Sequence, residues 1–256
     1  MLKDLIISIQ AYFQAHAFIR KHKLWRWIII PGIIYACVFV IGMYFFGQTA
    51  NHFMEWLKSL IQDSLTKINS SFLSFLITIG SFMIWIMMML FYFSLFKYFF
   101  LIVGSPVFAY LSEKTESIIE GKSFTFSLPQ LLKDILRGIK LSLRNSLWQT
   151  VYYIFLFLVS SLPVIGWFLF LLTLLIECYY YGFSMLDYSM ERHKKSAAES
   201  IYFIGNHKGL AIGNGMIFYL MHLVPVIGWI FAPAYAVIAA TLCLQPMKEQ
   251  QEFDKL

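Results

Sequence analysis

Polar and apolar positions divide the chain into four long apolar stretches, at 27–47, 72–103, 151–186 and 210–245, separated by polar segments. The first, about 21 residues, crosses a hydrocarbon core of ~30 Å once as a helix rising ~1.5 Å per residue. The second, about 32 residues or ~48 Å, must tilt or project from the bilayer. Gly104-Ser105-Pro106 is expected to end or bend it, and residues 48–71, with Glu55, Lys58, Asp63 and Lys67, read as a polar loop. The last two stretches carry the same interruption, Pro-Val-Ile-Gly-Trp, at 163–167 and again at 225–229. Proline removes a backbone donor and clashes with the preceding turn, while glycine adopts the positive φ that a reversal needs. Unbroken, each stretch of about 36 residues would reach ~54 Å; split, its leading arm of about 12 to 15 residues is too short to cross. Pro163, Gly166, Pro225 and Gly228 therefore mark the tips of two helical hairpins, 151–186 and 210–245, that dip into the bilayer and return. A single kinked span with an overhanging end is the competing reading.

Two further segments have amphipathic periodicity. Leu2, Leu5, Ile6, Ile9 and Phe13 share one face of a helix expected to lie on the membrane. The segment 129–150 follows a capping-box pattern, Ser127-Leu128-Pro129-Gln130. Leu131, Leu132, Ile135, Leu136, Ile139 and Leu143 form one face, and Lys133, Arg137, Lys140 and Arg144 the other, as in a helix along the membrane surface. Gly205, Gly209 and Gly213 before the last tip, and Gly228, Ala232, Ala236 and Ala240 after it, repeat at a spacing that lets backbones approach closely. The predicted fold is an all-α integral membrane protein, one membrane domain over residues 1–256. It has two long transmembrane helices, two hemi-penetrating (re-entrant) helical hairpins and amphipathic surface helices.

Composition narrows the partners. The chain is 59% apolar and 13% charged, which leaves no room for a soluble domain. Its net charge of +6 points to anionic lipid headgroups rather than nucleic acid. Returning hairpins place seventeen lysines and arginines on one side and two on the other; full crossings would make it thirteen and six. The positive-inside rule favours the hairpins. Cys37, Cys178 and Cys243 lie in apolar contexts and read as buried thiols. No small-residue cleavage site follows a short apolar core, so no removable signal peptide is expected.

Two charges fall inside apolar runs. Lys97 can snorkel to the headgroups, whereas Glu177 is either an interfacial residue near the hairpin exit or a deep carboxylate needing a proton, a partner or water. Two basic clusters, Arg20/Lys21/Lys23/Arg26 and Lys133/Arg137/Lys140/Arg144, could gather anions at a pathway or bind lipid phosphate. Arg26 stands beside a helix start, where unbonded N–H groups and the dipole favour an anion. No catalytic residue is expected. Asn206-His207-Lys208-Gly209 resembles the histidine segment of membrane acyltransferases, but Ile212 stands where those carry an aspartate. The six histidines show no close metal-ligand pairing, and no phosphate-binding glycine loop or nucleophile elbow occurs. The chain reads as a non-enzyme without metal or cofactor.

The order of elements, Gly104-Ser105-Pro106 followed by the Glu113/Glu116 helix, and the two proline-interrupted hairpins resemble the CysZ-like sulfate permeases, the etoposide-induced membrane protein family. The likeness covers about residues 10 to 245. It implies two long transmembrane helices, two hemi-penetrating hairpins, homo-oligomeric assembly and uptake of sulfate or a related oxyanion for cysteine synthesis, in a bacterial inner membrane. Such permeases typically carry a sulfate-binding arginine pair before the first crossing. Arg26 matches its second position and Trp25 stands at the first, so Arg26 with Lys23 becomes the expected anion site. The alternative is a membrane scaffold or lipid-binding protein of the same fold.

Overall fold

The computed structural model describes residues 1–65, 71–121, 128–160, 166–193 and 195–249. Among them are eight α-helices and no strand: α1 (Leu2–Lys21), α2 (Trp25–Leu65), α3 (Ser71–Glu120), α4 (Leu128–Ser160), α5 (Gly166–Arg192), α6 (Ala197–Asn206), α7 (Lys208–His222) and α8 (Ile227–Glu249). Two of these contain stretches long and apolar enough to cross a membrane, Trp25–Ser59 and Ile227–Met247. The chain forms two compact units, Met1–Ala36 with Phe100–Leu256, and Cys37–Phe99.

The helices run longer than the apolar stretches. The loop expected at 48–71 is helical as far as Leu65. Residues 48–65 contain neither glycine nor proline. Their polar side chains bond back along the helix, Thr49 to the Phe45 carbonyl at 3.0 Å and Ser59 to that of Trp56 at 2.7 Å. Nor does Pro106 end α3. Proline leaves the carbonyl four residues back, that of Ile102, without its usual donor. The Ser105 hydroxyl donates to that carbonyl at 2.8 Å, and the helix continues to Glu120. The surface segment 129–150 and the leading hairpin arm are likewise one helix, α4. The capping serine Ser127 and the first tip, Pro163 included, lie outside the described residues; Gly166 opens α5.

In the smaller unit, α2 and α3 meet through aromatic pairs. Phe39 and Phe96 are edge-to-face at 5.1 Å, and Phe46 stacks on Tyr92 at 4.7 Å. In the larger unit, α5 lies among α4, α6, α7 and α8, and every residue from Tyr180 to Met190 is buried. Its approach to α7 is a backbone contact. A Cβ on Gly182 would overlap the Ala211 carbonyl oxygen, and one on Gly215 would overlap that of Cys178. The Tyr181 ring stacks on Phe218 at 3.7 Å beside this contact. Cys178 and Cys243 are buried as expected, but Cys37 is exposed.

The second interruption is a tight turn between α7 and α8. Its left-handed residue is Val226, at φ 63°, rather than the glycine. Gly228 serves the reversal differently: a side chain there would overlap the Met221 carbonyl oxygen. Trp229 clamps the turn by donating its indole N–H to the His222 carbonyl at 3.1 Å. The small-residue stripe meets two partners, α1 and the opposite arm of its own hairpin. Gly209 and Gly213 face the α1 backbone at Met1 and Leu5, while a Cβ on Gly205 would meet nothing within 4 Å. Ala232, Ala236 and Ala240 are buried, and the Ala236 carbonyl accepts a bond from Asn214 at 2.9 Å.

Both amphipathic helices turn their apolar faces outward. In α1 the buried face is Asp4, Ser8, Ala11, Tyr12, Ala15 and Ile19, with Leu2, Ile6 and Phe13 exposed. In α4 it includes Gly138, Leu141, Ser142, Asn145 and Gln149, with Leu132, Leu136, Leu143 and Leu147 exposed. Gly182→Ala and Gly215→Ala are each expected to cost ~1–3 kcal/mol, because the added methyl group strikes a carbonyl that cannot withdraw. Gly205→Ala should leave stability unchanged or raise it. Thermal unfolding in detergent checks this; equal Tm values for all three variants would remove the α5–α7 contact as a determinant.

Candidate anion site and buried polar clusters

The corner between α1 and α2 is built by two anchors and a reversal. Leu24 and Ile28 are buried, and Lys23 between the helices takes a left-handed conformation, φ 53°. Leu24 donates its N–H to the Ile19 carbonyl at 3.1 Å, and Trp27 to that of Leu24 at 3.0 Å. This leaves Lys23 and Arg26 exposed together, Arg26 in the first turn of α2. Among the described residues neither has a hydrogen-bond or ion-pair partner. Trp25 turns inward from the same corner, edge-to-face with His16 at 6.3 Å and with Phe231 at 6.0 Å. The His16 Nδ1 lies 2.7 Å from the Tyr235 hydroxyl.

Glu177 belongs to a separate cluster. Its carboxylate accepts a bond from the Gln149 amide at 2.5 Å, from the Tyr153 hydroxyl, and from the Tyr219 hydroxyl at 2.9 Å. These donors come from α4 and α7, so the carboxylate ties α5 to both helices. The carboxylate is thus held by hydrogen-bonding partners from two neighbouring helices. Lys97 lies in the other unit, buried, with its ammonium 4.6 Å from the Tyr98 ring centre. The remaining tip residues differ in setting: Pro225 is exposed in the turn and Gly228 buried against α7.

A third cluster was not among the sequence candidates. Arg137, assigned to an outward cationic face, turns inward. Its guanidinium donates to Asp187 Oδ1 at 2.6 Å and Oδ2 at 3.3 Å, to the Ser200 hydroxyl at 2.7 Å, and to the Lys195 carbonyl. Glu191, one helical turn beyond Asp187, lies 4.0 Å away. Close by in sequence, His193 meets Glu116 of α3 at 3.2 Å. Asp187 and Glu191 lie in the polar segment between the last two apolar stretches, into which α5 extends as far as Arg192. Their i, i+4 spacing was the available signal. Burial pushes the Glu191 carboxyl up from 4.5 to about 7, against the pull of Arg137 and with the push of Asp187. Burial works against the charge on Arg137, but its bonds to Asp187 more than offset this and hold its pKa above the ordinary value.

Membrane-length apolar helices and outward apolar faces fit an integral membrane protein. The family model described as Sulfate transporter CysZ/Etoposide-induced protein 2.4 matches residues 11–233, and the chain belongs to that family. Relatives named sulfate transporter CysZ are similar along much of it. That of Pseudomonas aeruginosa strain LESB58 is 25% identical over 226 residues, 88% of each chain. That of Pseudomonas fluorescens strain Pf0-1 is 27% identical over 217 residues, 84% of this chain and 83% of the relative. For Pseudomonas fluorescens strain Pf-5 the identity is 29% over 143 residues, 55% of this chain and little more than half, 57%, of the relative.

Arg137→Ala should cost ~3–5 kcal/mol of stability, because it leaves Asp187 buried without its partner. Substituting Asp187→Asn in the same chain should restore part of that loss; a cycle with no coupling would show that the pair contributes nothing. Glu191 gives a pH signature. The folded state keeps its proton up to about 7, whereas the unfolded chain releases it near 4.5. Its contribution is therefore fully present below 4.5 and lost as pH rises towards 7. Glu191→Gln should flatten that part of the Tm–pH curve, and an unchanged slope would exclude Glu191 as its source.

Proposed function

We propose that this chain is a permease for sulfate or a related oxyanion, with Arg26 and Lys23 as the capturing groups. The observation that carries this reading is the exposed, locally unpartnered Arg26 in the first turn of a membrane-length helix. A guanidinium there can add charge-assisted bonds to the donors of the helix start. The family membership and the name that the relatives carry agree with it. Glu177 and Lys97 are proposed as charges along the pathway. The wider setting proposed is a homo-oligomer in a bacterial inner membrane, surrounded by lipid and feeding sulfur assimilation.

Both hairpins, α4–α5 and α7–α8, are proposed to be re-entrant. The α7 arm, 15 residues or ~22 Å, is shorter than the ~30 Å core. The α7–α8 turn is level with the interior of α2: Tyr35 lies 3.5 Å from His222, and Trp25, ten residues earlier, meets Phe231. Ten residues of helix are ~15 Å, half the core thickness.

Purified protein in liposomes should carry labelled sulfate above the leak of empty liposomes; no flux would leave a scaffold or lipid-binding role. Arg26→Ala should weaken sulfate binding by ~1.5–3 kcal/mol. Calorimetry checks this, and unchanged affinity would remove Arg26 from the site. For the hairpins, single cysteines at Ala198 and Ser59, in a background lacking the native three, should react with an impermeant thiol reagent from opposite faces of sealed cells. Reaction of both from one face in a uniformly inserted protein would rule out the returning hairpin.

A further inference from the structure

An open groove of about 350 Å³ with apolar walls runs between the α1–α2 corner and the α7–α8 turn. Trp25 and Phe231 line one end; Val224, Ile227 and Gly228 of the turn line the other. We propose that it holds one acyl chain of an anionic phospholipid whose phosphate sits on Lys23 and Arg26 of the corner.

Three observations select that occupant. The first is length. From Trp25 to the level of Tyr35, which faces the turn, is ~15 Å of helix, one leaflet of a ~30 Å core. The second is the contrast between the ends. The deep end is entirely apolar, whereas the corner exposes Arg20, Lys21, Lys23 and Arg26 beside the hydrogen-bonded His16 and Tyr235. Such a gradient fits an amphiphile, and its charge fits an anionic headgroup over a zwitterionic one. The third is size. A groove this small cannot supply the ~800 Å² per partner that a stable protein interface buries, which disfavours a second copy of the chain as occupant. The site stands whether or not the protein carries sulfate, because it needs only the groove and the corner.

The test uses the full chain reconstituted in phosphatidylcholine vesicles. One set carries a trace of phosphatidylglycerol with a photoactivatable diazirine midway along one acyl chain, and the other carries phosphatidylcholine with the same chain. Cross-links are mapped by mass spectrometry. Residues 221–235 should label about fivefold more from phosphatidylglycerol, while the exposed face of α2 at Ile30, Ile33 and Ile34 labels equally from both. The double substitution Arg26→Gln with Lys23→Gln, at two exposed positions, should abolish the excess and leave the α2 labelling intact. Val224→Trp, which fills the groove, should remove labelling at 221–235 from either lipid. Equal labelling from the two lipids in the unaltered protein overturns the site, and so does an excess that survives the double substitution.

Discussion

The larger unit depends on two helix backbones in direct contact. At Gly182 with Ala211, and at Gly215 with Cys178, α5 and α7 approach so closely that no side chain fits between them. In lipid no water is released when apolar helices meet, so dispersion contacts over such a surface supply much of the attraction. Other elements take their places from α7. Gly209 and Gly213 receive α1, the Tyr12 hydroxyl reaches the Asn214 carbonyl at 2.7 Å, and Asn214 binds the Ala236 carbonyl of α8. One short helix thus positions the α1–α2 corner through one neighbour and the turn at Pro225–Trp229 through another.

Polar side chains perform the corresponding task between α4 and α5. Arg137 pairs with Asp187, and Gln149 and Tyr153 with Glu177. Residue numbers rise along one helix as they fall along the other, so these bonds fix an antiparallel register at two levels. A polar group in a dry interior is costly unless bonded, and each of these pairs makes the alternative register expensive. The same reasoning explains why α1 and α4 turn small and polar residues inward. Leu2, Ile6, Leu132, Leu136, Leu143 and Leu147 have a suitable solvent outside, and the Tyr12 hydroxyl and the Gln149 amide find their partners inside.

The cations of the α1–α2 corner contrast with Arg137. Arg137 is held by two side chains and a backbone carbonyl, whereas Lys23 and Arg26 are exposed and, among the described residues, unpartnered. The first arrangement holds the fold together. The second is open to an external anion, whether free in solution or at the head of a lipid. The two are alike in sequence, both sitting in basic clusters, and differ in whether the neighbouring helix presents carboxylates.

Much of the fold was legible in the sequence because it follows from local rules. The apolar stretches, the reversal at Pro225–Trp229 and the corner carrying Lys23 and Arg26 need little more than chain length, proline chemistry and charge. Glu177 stood out as a carboxylate in an apolar run that, at depth, needs a proton, partners or water. The identity of its partners was not legible there, since Gln149, Tyr153 and Tyr219 come from two other helices. The helix end differs from the polar boundary at 48–65, and Pro106 does not stop α3, because polarity marks where a helix leaves an apolar setting rather than where it stops. Residues without glycine or proline go on coiling, and one serine hydroxyl satisfied the carbonyl that Pro106 left open. Periodicity alone also could not tell inside from outside. A stripe of leucines reads the same whether it faces a core or a lipid tail, and only the tertiary packing decided that Arg137 faced α5 while Leu136 faced outward.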